Sequence, residues 1–169
     1  MQKITPFLWF DHQAEEAVKF YLSVFKNSKV LRTVRYGQAG PGPEGTVMTI
    51  NFLIEGQEFA ALNGGPIFTF SQAISFVVNC TTQEEVDRLW TSLSDGGEQQ
   101  PCGWLKDKYG VSWQIVPADL VDMLNDPDPV RSQSVMKAML AMGKLEIKLL
   151  KEAYNGKSFG ISEGLLGES

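Results

Sequence analysis

Histidine is almost missing from this chain: its 169 residues hold one, His12, together with two cysteines, Cys80 and Cys102. A lone imidazole excludes any site that needs two histidines, and it weakens schemes in which histidine is acid, base or triad member. Two cysteines without metal-type spacing exclude a disulfide framework; they are expected as buried or half-buried free thiols. No run approaches the ~20 apolar residues that span a bilayer, and the chain does not open on a basic-then-apolar signal pattern. A cytoplasmic protein without membrane partners is expected. Positive charge is also short. Fifteen Lys and Arg against 20 Asp and Glu give a net charge of −5, which argues against general affinity for nucleic acid or anionic lipid.

What is present reads as an ordinary globular chain, with 43% hydrophobic and 21% charged residues. Its organising stretch runs from Cys102 to Pro117. Trp104–Asp107 reads as one short strand and Lys108-Tyr109-Gly110 as a turn, with glycine where a positive φ is cheap. Val111–Val116 alternates Val111/Trp113/Ile115 against Ser112/Gln114/Val116, the period-2 pattern of a strand with two different faces. A strand that buries one face and offers Ser112 and Gln114 on the other is a candidate pocket wall. Asp107, Lys106 and Lys108 at the turn read as solvated charges.

The remaining elements follow in order. Ile4–Phe10 is a short apolar strand, and Asp11 a plausible N-cap. Ala14, Ala17, Val18, Tyr21 and Phe25 fall at helical spacing, so a helix is expected from about 13 to 25, with His12 exposed at its start. Val30–Tyr36 reads as a strand and the glycine- and proline-rich segment 37–45 as a mobile loop. Thr46–Ile54 and Glu58–Leu62 form a second hairpin, and Asn63-Gly64-Gly65-Pro66 breaks the chain. Ala73–Asn79 is a further strand. Thr81 or Thr82 then caps a helix at about 82–94, and Glu98–Pro101 begins another strand.

An offset of 69 residues superposes Glu15-Glu16 on Glu84-Glu85, Phe20-Tyr21 on Leu89-Trp90 and Phe7 on Phe76. A duplicated βαβββ unit accounts for this match. The expected class is therefore α+β. Two paired modules, 1–64 and 67–117, form a cupped eight-stranded sheet whose concave side is a cavity. A helical extension follows at 118–154 and a loose tail at 155–169. In the extension, Met136, Met139 and Met142 read as packing residues, and in a homodimer they and the Leu145/Leu149/Leu150 stripe are expected to bury part of the contact.

Ile4-Thr5-Pro6-Phe7-Leu8-Trp9-Phe10-Asp11, with Ala14-Glu15-Glu16-Ala17 and Phe20-Tyr21, resembles the start of PhnB-like proteins. Cys102-Gly103-Trp104-Leu105-Lys106-Asp107 and Gly110-Val111-Ser112-Trp113-Gln114-Ile115-Val116-Pro117 resemble their closing hairpin. That family, often called 3-demethylubiquinone-9 3-methyltransferase, is similar to the vicinal-oxygen-chelate superfamily of glyoxalases, extradiol dioxygenases and bleomycin-resistance proteins. The resemblance implies paired βαβββ modules and a homodimer. Metal-dependent members of that superfamily take histidine and glutamate ligands from the first and third strands of each module. Strand matching puts Ile4, Asn51, Ala73 and Gln114 at those positions, so neither a metal nor another cofactor is expected. No glycine-rich strand-to-helix turn followed by an acidic strand end suggests a methyl-donor site. The reading is a metal-independent protein that binds or sequesters a small molecule. Its cavity is lined by Thr49, Asn51, Phe70, Ser75, Trp104, Ser112 and Gln114, and its catalytic residues, if it is an enzyme, are unassigned. A metal-dependent lyase, isomerase or dioxygenase is the alternative, and a methyltransferase a third.

Overall fold

A computed structural model describes residues 2–157. In chain order the elements are β1 (Phe7–Phe10), α1 (Ala14–Val24), β2 (Ser28–Arg35), β3 (Val47–Ile54) and β4 (Gln57–Asn63), then β5 (Ser75–Cys80), α2 (Gln83–Ser94), β6 (Glu98–Gln99), β7 (Trp104–Lys106) and β8 (Ser112–Pro117). Three further helices follow: α3 (Leu120–Leu124), α4 (Pro129–Leu140) and α5 (Ile147–Tyr154). The tail expected at 155–169 lies outside the described residues from 158 onward.

The eight strands fall into two four-stranded sheets of the same order, β1-β4-β3-β2 and β5-β8-β7-β6. In the first, β1 lies parallel to β4 while β3 is antiparallel to both β2 and β4. The 69-residue offset carries the first residue of α1 onto the first of α2. Duplication is thus present in element order, sheet order and helix register.

The two helices start differently. Thr82 caps α2: its Oγ1 accepts from Glu85 N–H at 3.2 Å, and the Glu85 carboxylate accepts from Thr81 N–H at 3.0 Å, a variant of the capping box. Asp11 does not cap α1. Gln13 is the N-cap, without a side-chain bond. The acceptor for Ala14 N–H is Asn63 Oδ1 at 2.8 Å, supplied from the end of β4. Asp11 stays exposed beside His12, 3.4 Å from its Nδ1. A distant amide thus does what a local carboxylate was expected to do.

Two compact units make up the chain. The first gathers Met1–Ser75, Ser92–Glu98 and Lys106–Ser112; the second gathers Phe76–Thr91, Gln99–Leu105 and the chain from Trp113 onward. In the first, α1 buries Ala14, Ala17, Val18, Tyr21 and Val24, and Tyr21 stacks on Phe52 of β3 at 6.4 Å between ring centres. Phe59 of β4 continues the stack at 5.5 Å. Each such ring removed from water contributes about 1.5–3 kcal/mol. The segment 37–45 is wrapped rather than loose: Gly40 and Gly42 sit so close to the Tyr36 ring that a Cβ on either would collide with it.

In the second unit, Val116, Leu120, Met123, Val135, Ala138, Met142, Leu145, Leu150 and Ala153 form one buried cluster. Leu145 and Leu150 are fully enclosed there, with the half-buried Leu149 packed against the cluster. The extension is stitched to the second module by backbone bonds from Cys102 and Gly103 N–H to Met142 and Gly143 carbonyls, 2.8 Å each. Gln83 adds two more bonds. Its amide donates to Leu145 O and accepts from Ile147 N–H, capping α5.

Candidate functional site

The first unit contains an open cleft of about 610 Å³ where the end of β1, the linker 66–70, the Gly96-Gly97 turn and the tip of the β7–β8 hairpin meet. Five aromatic side chains line it: Trp9, Phe10, Phe68, Phe70 and Tyr109. Trp9 is fixed from two sides. Its Nε1–H donates to Gly65 O at 2.9 Å, and Gly64 lies against the indole with no room for a Cβ. Phe68 meets Trp9 edge-on at 5.0 Å, and Phe70 meets Phe10 edge-on at 5.1 Å. The linker is thereby held by ring contacts rather than by a ladder. Phe68 nevertheless remains 60% exposed, a large cost unless something covers it.

The hairpin tip is built around Asp107, only 2% exposed. Its Oδ1 accepts from Tyr109 N–H (2.9 Å) and Val111 N–H (3.0 Å), closing an Asx-type turn. Its Oδ2 accepts from the Tyr21 hydroxyl at 2.7 Å. Asp107 was expected to be solvated. It is instead the post that ties the turn to α1, because the Asp-Lys-Tyr-Gly sequence aims its carboxylate back at the turn's own amides. Burial, and next the Asp107 charge, push the Tyr21 phenol well above its ordinary range. The Tyr109 phenol is raised too, first by burial and then by Glu16 and Asp107.

Gly97 lets this turn exist, since a Cβ there would run into the Lys106 carbonyl and the Asp107 backbone. Lys106 pairs with Glu98 at 3.1 Å. Lys108 has its ammonium over the Phe20 ring at 4.5 Å and near the Tyr109 ring at 5.5 Å.

A smaller cleft of about 440 Å³, also in the first unit, lies between the Pro41-Gly42-Pro43 loop and Gly64-Gly65, with Asp11, His12 and Glu15 at its edge. His12 is exposed there, as expected.

Of the residues expected to line one cavity, only Phe70 reaches the larger cleft. Thr49 and Asn51 share a half-buried face of β3, and the Asn51 amide donates to Glu58 Oε1 at 3.2 Å. Ser75 opens β5, half-buried. Ser112 is 1% exposed and its hydroxyl has no partner among the described residues, so it is not on a solvent face. The reason is that β8 is an interior strand, buried on both sides. Gln114 and Trp104 are half-buried in the second unit.

Ile4 and Ala73, matched to first-strand ligand positions, precede their strands, which begin at Phe7 and Ser75. Pro6 has no N–H for a ladder, and Ala73 N–H is taken by the Ser71 hydroxyl at 3.2 Å. Among the described residues no three His, Cys, Asp or Glu come together as a group able to hold a metal. Isoleucine and alanine carry no donor atom for a metal in their side chains. Both thiols are free. Burial, with Glu85 adding to it, pushes the Cys80 thiol up to about 12, while Cys102 is half-buried.

Comparison with known proteins agrees with the fold. A family model described as 3-demethylubiquinone-9 3-methyltransferase matches residues 2–116, so α3–α5 lie beyond it. The PhnB protein from Bacillus cereus is 43% identical over 69% of this chain and 100% of that one, with a TM-score of 0.64. Protein PA1353 from Pseudomonas aeruginosa is 20% identical over 69% of this chain and 98% of that one, TM-score 0.58. A mutant of the fosfomycin resistance protein FosX from Listeria monocytogenes, complexed with Mn(II) and 1S,2S-dihydroxypropylphosphonic acid, is 16% identical. It aligns over 74% of this chain and 97% of that one with a TM-score of 0.51, a likeness of fold alone. No curated protein matches. With about two thirds of its length matched by the family model and a relative at 43% identity covered end to end, the chain belongs to the PhnB-like 3-demethylubiquinone-9 3-methyltransferase family.

Proposed function

We propose that this protein binds or sequesters a small organic molecule in the first-unit cleft, and does so without a metal. The observation that carries the reading is the ring-lined space of about 610 Å³ around Trp9, Phe68, Phe70 and Tyr109. Ligand sites are apolar and aromatic concavities of this size with a few placed polar groups. Here those groups are Lys106, Lys108, the Tyr109 hydroxyl and Asp11. A metal-dependent lyase, isomerase or dioxygenase needs imidazole or carboxylate ligands that the donor set does not supply. A methyltransferase reading has the family description behind it, but β1 passes into α1 through Asp11-His12-Gln13, without the glycines a methyl-donor turn uses.

An NMR screen of small fragments against the 15N-labelled protein tests this. Binders are expected to cluster on the Trp9 indole N–H and the amides of Gly97 and Gly110. Fragments that bind only elsewhere, or none that bind at all, would refute the cleft as the site.

A further inference from the structure

Resting on that reading of the cleft, we infer that its ligand is a planar aromatic molecule carrying an anionic group, with Lys108 as the anchor for the charge. Of the three carboxylates that line the cleft two are committed, and Glu16, outside the lining, acts on Tyr109. Asp107 is turned inward onto the Tyr21 hydroxyl and two backbone amides. Glu98 is engaged by Lys106. Asp11 sits beside His12.

Lys108 differs: among the described residues no carboxylate lies within ion-pair distance of its ammonium. Its side chain nonetheless has close neighbours. Its Cβ and Cδ lie 3.4 and 3.6 Å from where a Cβ on Gly96 would be, and its ammonium rests over the Phe20 and Tyr109 rings. A ring face attracts a cation but leaves its outer hemisphere open. A lysine resting against two ring faces has less freedom to lose when an anion arrives, and that favours binding. The Tyr109 hydroxyl has no protein partner among the described residues and supplies a second donor, on a ring whose centre lies 5.5 Å from the ammonium. The rings of Trp9, Phe68 and Phe70 give flat apolar surface for a π-system.

The test uses four matched probes: naphthalene-2-carboxylate, 2-naphthylmethanol, 2-naphthylmethylamine and decalin-2-carboxylate. Binding is measured by calorimetry, and the Trp9 indole N–H signal reports location. At low salt the naphthoate is expected to bind about tenfold tighter than the alcohol, the ratio for a partly desolvated ion pair. It should also bind more tightly than the saturated acid. The preference should fall toward one in Lys108→Gln, a substitution at an exposed side chain whose fold is checked by an unchanged melting temperature. It should also shrink at high salt. Equal binding of alcohol and acid, tighter binding of the amine, no loss against the saturated ring, or a preference that survives Lys108→Gln would each overturn the inference while leaving the cleft reading intact. If no probe moves the Trp9 signal, the cleft reading itself falls.

Discussion

Replacing Tyr21 by Phe removes one hydroxyl and leaves the ring in its stack between α1 and Phe52. The cost is then confined to the bond of 2.7 Å to Asp107 Oδ2. That carboxylate is 2% exposed, so water does not step in to replace the lost donor. A hydrogen bond to a charged acceptor contributes about 1.5–3 kcal/mol, and its loss from a buried site lies toward the upper part of that range. For a chain of this length each kcal/mol lowers the melting temperature by about 2–4 °C, so Tyr21→Phe is expected to melt about 4–12 °C below the wild type. Differential scanning calorimetry gives the number. A cycle with Asp107→Asn then isolates the pair: if the bond carries the effect, the double variant loses much less than the sum of the singles. A Tyr21→Phe variant melting within a degree of wild type, or strictly additive losses, would refute the claim that this pair holds the hairpin tip to α1.

Other expectations follow from the same geometry. Because the Tyr21 and Tyr109 phenols are raised above their ordinary value of 10.0, the folded state favours the neutral form. Their contribution is complete below pH 10 and is lost as pH climbs through the raised values; an absorbance titration near 295 nm should show late ionisation that moves earlier in denaturant, and coincident titrations would contradict it. Cys80, raised to about 12, should resist a thiol reagent at pH 8 that labels Cys102, read by intact-mass spectrometry. Gly97→Ala should cost at least about 2 kcal/mol in urea unfolding, because its Cβ meets backbone that cannot yield. Leu145→Ala, emptying the middle of the second cluster, should cost about 2–5 kcal/mol by the same measurement.

Helices, strand pairs and the repeat were legible in the chain because each rests on periodicity or on local chemistry. Thr82 with Glu85 announces α2, and Gly110 announces the hairpin turn. The cap of α1 was not legible, since its acceptor, Asn63, lies 49 residues away. The cleft was less legible still. Phe68 and Phe70 sit on a linker without periodicity, where an aromatic residue gives no sign of the face it will occupy. Asp107 carried a signal, an acidic residue three positions before a turn glycine, but reading it as solvated overlooked the amides that such a turn directs at it. Ser112 is covered on its side of β8, and alternation shows that a strand has two faces without showing which of them are covered.

The three-segment make-up of the first unit has a consequence for biosynthesis. Its contents are not contiguous in time: the ribosome emits residues 2–75 early, but Lys106–Ser112, with the Asp107 post and the Tyr109 ring, comes more than thirty residues later. A nascent chain stopped at the glycine break near residue 65 therefore carries Tyr21 without the Asp107 carboxylate that accepts its hydrogen bond, and Trp9 with only half of its cleft. The compact unit and the repeated module have different boundaries. Arrest-peptide force measurements along the chain should register the first unit's closure only after Ser112 has cleared the exit tunnel, well past the boundary that the repeat marks.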